Sequence, residues 1–146
     1  MKIFTRQIYA EPGIDYPFSH VFQQRIGEIL SGLVHPSEEF RRRYGSDFRI
    51  IFTLSAKRDI SFPEIVGPGV YKKTKDIEYS IFIPHDGSDA NKLGDYTKPI
   101  RNFLLGVSSA LERLKLDANE VKNNIDSIVR EITLDPAILK KRSPPN

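Results

Sequence analysis

The chain has 146 residues, with no cysteine, no tryptophan and one methionine. Lack of cysteine excludes a disulfide, a thiol nucleophile and a cysteine-ligated metal. An apolar core must therefore hold the fold, and a chain of this length buries roughly 68–70% of its unfolded surface. No stretch approaches the roughly 20 apolar residues of a membrane span. The opening MKIFTRQIYAEPG sets polar residues where a secretory leader needs an apolar run. A cytoplasmic protein without a membrane partner is expected.

Catalytic signatures are missing as well. There is no GxSxG, P-loop or GxGxxG pattern. His20, His35 and His85 form no i, i+4 pair and no HExxH, whereas zinc needs three or four converging ligands. Asp86-Gly87-Ser88-Asp89 lacks the ligand ladder and closing Glu of a calcium loop, so His85 with Asp86 and Asp89 reads as a polar turn. The expectation is a non-enzyme with no metal, no cofactor and no catalytic residue.

Charge of one sign is also scarce. The net charge is +3, and without Lys140, Lys141 and Arg142 the chain holds 19 basic and 19 acidic residues. The excess belongs to the tail, which argues against nucleic acid as the main partner, since phosphate binding needs clustered cations. Residues 1–139 read as one domain and 140–146 as a basic, proline-rich tail.

Residues 2–9 suit a strand, stopped by Glu11-Pro12-Gly13. Over 17–34 the apolar positions Phe18, Val21, Phe22, Ile26, Ile29, Leu30 and Leu33 have helical spacing. Ser37 starts a short helix that Gly45 closes. Residues 48–56 and 77–83 alternate as strands, and Gly67-Pro68-Gly69 looks like a turn between short extended pieces. Two amphipathic helices follow, over 97–114 and 118–132, the second opened by a capping box of Asp117 and Glu120. This order predicts an α+β fold: a small antiparallel sheet of three or four strands with amphipathic helices packed on one face.

Candidate contact residues fall in three places. Arg41, Arg42 and Arg43 fan around a helix, with Glu38 and Glu39 placed to pair with Arg42 and Arg43. Lys72, Lys73 and Lys75 follow Tyr71 and flank a strand, where charge also guards an edge against unwanted pairing. From Asp76 to Asp95 there are five acids and one base, Lys92, a loop whose sign suits a basic partner. The strand–helix–strand–strand–helix order resembles part of an RNA-recognition motif, in which Phe48, Phe52, Tyr79 and Phe82 would stack on bases, but its Gly- and aromatic-rich signature is missing.

The run FRIIFTLSAK, then KDIEYSIFIPHD and an amphipathic helix, covers 48–114 and resembles the small α+β immunity proteins encoded beside bacterial polymorphic or contact-dependent toxins. The resemblance implies a cytoplasmic, non-enzymatic protein that binds one cognate toxin and occludes it. Those families share no fixed contact motif, so no residue role follows from it. The basic pI of about 9.1 departs from the acidic character expected of proteins that neutralise basic nucleases. From the residues themselves, the expected partner-binding set is Tyr71, Lys72, Lys73, His85, Asp86, Asp89 and Asp95. The alternative is a nucleic-acid-binding regulatory module using the Arg41, Arg42, Arg43 and Lys72, Lys73, Lys75 clusters with the tail.

Overall fold

A computed structural model describes residues 2–7, 20–84 and 97–133. The elements run β1 (Ile3–Gln7), α1 (His20–Leu33), α2 (Glu38–Tyr44), β2 (Arg49–Lys57), β3 (Glu64–Tyr71), β4 (Asp76–Pro84), α3 (Thr97–Arg113), α4 (Asn119–Asn123) and α5 (Ile125–Thr133). The strands form one sheet in the order β1-β2-β4-β3. The α+β class is as the sequence implies.

Strand direction is a correction. β1 pairs parallel to β2, and β2 parallel to β4; β3 alone is antiparallel, on the outer side of β4. Alternation tells which face a residue occupies and says nothing of direction. Direction is set by connections: α1 and α2 carry the chain back for a parallel return, and β4 inserts between β2 and its hairpin partner β3. One consequence is visible in β2, where Thr53 and Ser55, on the face away from the main core, are buried too, as central parallel strands tend to be.

The core lies on the face carrying Ile50, Phe52, Leu54, Ile77, Tyr79, Ile81 and Ile83. Register sets Phe52 beside Tyr79, and their rings stack with centroids 6.0 Å apart. Helix α3 lies tight against β4 because position 106 is glycine: a Cβ there would come within 2.6 Å of the Ile81 side chain. Its Ile100, Phe103, Leu104, Val107 and Leu111 are all buried, the stripe the spacing predicts. α1 closes the outer edge of β1. Ser31 Oγ accepts from Ile3 N (2.9 Å) and donates to the Gly27 carbonyl (2.8 Å), with the Ile3 carbonyl 3.3 Å away.

Two further differences have local causes. The predicted last helix is two, α4 and α5, divided at Asn124, whose side-chain amide donates to the Glu120 carbonyl at 2.6 Å and competes with the helical ladder. Asp117 makes no capping box; it accepts from Asn119 N at 2.9 Å, a two-residue turn of the kind Asp favours. By contrast α2 starts and stops as read: Ser37 accepts from Phe40 N, and the Gly45 N–H bonds the Arg41 carbonyl.

Candidate functional site

β3 is an edge strand of unusual composition. Among the described residues six large apolar side chains are exposed, and four lie between 62 and 71: Phe62 (78%), Val66 (58%), Val70 (40%) and Tyr71 (52%). The sequence dictates this. Ile65 and Val66 are adjacent, as are Val70 and Tyr71, and neighbours on a strand point to opposite faces. One of each pair must leave the core. Ile65 and Val70 register with Ile81 and Ile77 on the core face, while Val66 and Tyr71 register with Ser80 and Asp76 on the other.

Gly67-Pro68-Gly69 is not a turn. It is an irregularity inside β3, where the register shifts between Val66 and Gly69, consistent with a bulge admitting proline on an edge. Position 67 requires glycine: its φ is +131°, and a Cβ would meet the Glu78 carbonyl at 2.8 Å. Pro68 has no N–H to offer an incoming strand, so the edge is blunted midway. Arg113 Nη1 reaches the Ile65 carbonyl at 3.4 Å, tying the end of α3 to β3. The Tyr71 ring folds back over Gly69, within 3.2 Å of where a Cβ would stand. What β3 offers a partner is therefore side chains on a fixed scaffold more than free backbone.

Lys72 and Lys73 lie in the turn joining β3 to β4, not along the strand. They do not guard the edge ladder. His85, Asp86, Asp89 and Asp95 fall within 85–96, outside the described residues, as does the tail with Lys140, Lys141 and Arg142. Of the expected contact set, Tyr71, Lys72 and Lys73 are placed together and exposed. The strand aromatics do not form a stacking platform: Phe52 and Tyr79 are buried in the core.

The β3–β4 turn meets the loop after α2. Arg49 N donates to the Lys75 carbonyl at 2.8 Å, and Lys75 Nζ is 3.1 Å from Asp47. Ile50 N donates to the Lys2 carbonyl, so the start of β1 lies at the same end. Eight cations (Lys2, Arg41, Arg42, Arg43, Arg49, Lys72, Lys73, Lys75) collect there with four carboxylates (Glu38, Glu39, Asp47, Asp76); the other described residues carry ten cations and nine carboxylates. The near-neutral body read from composition is thus unevenly charged.

Three of the four acids at this end, Glu38, Asp47 and Asp76, are engaged locally. Arg49 Nε donates to Asp76 at 2.8 Å, and that hydrogen bond is the first cause holding the Asp76 carboxyl below its ordinary value, against desolvation that pushes the other way. Arg42 reaches Glu38 at 3.5 Å. Arg43 lies over the Tyr44 ring, 5.6 Å from its centroid, instead of pairing with Glu39. Beneath them Phe40, Tyr44 and Phe48 form an aromatic chain with centroids 5.0 and 5.8 Å apart. A cleft of about 460 Å³ opens beside it, with Lys2, Ser46 and Arg49 on its walls.

Burial pushes the Tyr79 hydroxyl up to about 12, with the Arg113 charge opposing, and it has no hydrogen-bond partner among the described residues. Among the described residues no three of His, Cys, Asp or Glu gather as metal ligands, and no helix is long and apolar enough to cross a membrane. Comparison with protein families, curated proteins and solved structures gives no match.

Proposed function

We propose that this protein works by binding another protein, as an immunity protein that occludes a cognate toxin, with the β3 flank as the contact. The observation that carries this is the crowding of exposed apolar side chains into one short segment, Phe62, Val66, Val70 and Tyr71. Scattered surface apolar residues are ordinary, but their concentration in one short segment supports an interaction surface, with Val66 and Tyr71 sharing the face of β3 turned from the core and Phe62 in the bend just before the strand. Aromatic anchors ringed by polar groups are the usual centre of such an interface. Here Tyr71 leads directly into Lys72 and Lys73, and Glu64 pairs with Lys57 at the other end of the strand (3.0 Å). Blockade by this surface needs no chemistry from the chain itself.

The test is co-expression with the product of the adjacent upstream gene, followed by co-purification and a toxicity assay. Complex formation and rescue of growth are expected. The double variant Val66→Asp, Tyr71→Ser should weaken binding by at least about tenfold with an unchanged melting profile, because neither side chain is part of the core. Failure of the native chain to bind that protein would overturn the toxin reading. Undiminished binding by the double variant would remove β3 from the contact.

A further inference from the structure

The basic end of the sheet is a second surface with a different chemistry. Lys2, Arg41, Arg43, Lys72 and Lys73 are exposed and make no ion pair with a carboxylate among the described residues. They come from three separate segments: the backbone bonds from Ile50 to Lys2 and from Arg49 to Lys75 bring Lys2 and the 72–75 turn to the start of β2, where α2 ends and where Lys2, Phe40 and Arg49 line one cleft. Apolar side chains stay at the margins: Phe40 is buried, Tyr44 and Phe48 are half-buried beneath, and the exposed Phe4 and Tyr71 lie under Arg49 and beside Lys72 without forming one apolar centre. A protein interface wants an apolar centre with charge at its rim. Solvated, unneutralised cations without that centre suit a flexible polyanion, whose binding is driven by release of condensed counterions.

We infer that this end binds the phosphodiester backbone of a nucleic-acid strand, independently of the β3 flank. Lysine contributes point charge and arginine a planar fork that matches phosphate oxygens. The contact carries no base preference, because phosphate contacts position a strand without reading its sequence. The inference does not depend on the identity of any protein partner.

The experiment is fluorescence anisotropy of the full chain with a labelled 20-nucleotide single strand and the corresponding duplex, between 50 and 200 mM salt. Five phosphate contacts give a single-strand log–log salt slope of about −3.5, so affinity falls about 100-fold over that range. The reversals Lys72→Glu with Lys73→Glu, and separately Arg41→Glu with Arg43→Glu, should each flatten the slope to about −2. The turn pair keeps the test decisive should the α2 pair unfold. An equal charge change elsewhere, Lys115→Glu with Arg130→Glu, should leave the slope unchanged.

Four results would overturn the assignment. One is no binding of either probe at 50 mM salt. Another is an effect of the Lys115, Arg130 control as large as that of the basic-end pairs. A third is loss of binding on neutralising Lys140, Lys141 and Arg142 while the basic-end pairs bind normally. The fourth is equal affinity for a poly-glutamate chain of matching charge, which would make the ligand an acidic polypeptide.

Discussion

The β3 flank and the basic end lie next to one another, joined by Tyr71, Lys72 and Lys73, yet they are built by opposite means. The flank is local: ten consecutive residues supply its exposed apolar group, and one backbone irregularity shapes it. The basic end is assembled, taking Lys2, the α2 arginines and the β3–β4 turn from distant parts of the sequence. A local surface survives so long as its own strand holds. An assembled one depends on every element that delivers a piece of it.

The most forceful way to break that distinction is Phe40→Ala. Phe40 is 2% exposed and anchors α2, so its loss should cost about 3–5 kcal/mol, measured by chemical denaturation. Hydrogen exchange should quicken most in residues 38–49 and least in 64–71; uniform quickening would mean that the two regions are not separable. Gly67→Ala attacks the other side. With φ at +131° and the Glu78 carbonyl 2.8 Å from the new Cβ, the cost should be about 1–3 kcal/mol. Here 64–71 should lose protection while α2 keeps it, and binding to a single-stranded oligonucleotide should not change.

The smallest effect is that of acid on the Arg49–Asp76 pair. Asp76 has a lowered pKa in the folded protein, so the folded state favours its carboxylate. That contribution is present above the unfolded value of 3.8 and disappears as the pH falls through the lower native one. Asp76→Asn should therefore be less stable than the native chain near neutrality, the gap narrowing below about pH 4. A gap independent of pH would mean that the pair's charge is not what matters there.

Much of this architecture was legible, and the reasons for the rest are physical. Periodicity located the α1 and α3 stripes and the core faces of β2 and β4, because burial of one face leaves a period in the sequence. Ser37 and Gly45 marked the ends of α2 through their own capping chemistry. Strand direction left no such trace in any single strand. Gly67-Pro68-Gly69 misled because glycine and proline signal both turns and edge bulges, and the choice is made by the pairing partner.

The candidate surfaces divide in the same way. Tyr71, Lys72 and Lys73 stood out by their position beside a strand. Phe62, Val66 and Val70 were passed over, although adjacent apolar residues in a short strand already implied that some must face solvent. The placing of Arg41, Arg42 and Arg43 at the same end of the sheet as the 72–75 turn was invisible, since about thirty residues separate them and the β2–β4 pairing sets that end. Counting charges over the whole chain concealed it further.

The treatment of the two sheet edges has a consequence for what substitution can do to this protein. Ser31 closes β1 and Pro68 interrupts β3, so what the β3 edge presents is side chains that the core does not require. Exchanging Phe62, Val66 or Tyr71 would alter the surface without touching the packing beneath it. A partner held there could be exchanged one substitution at a time on an unchanged scaffold.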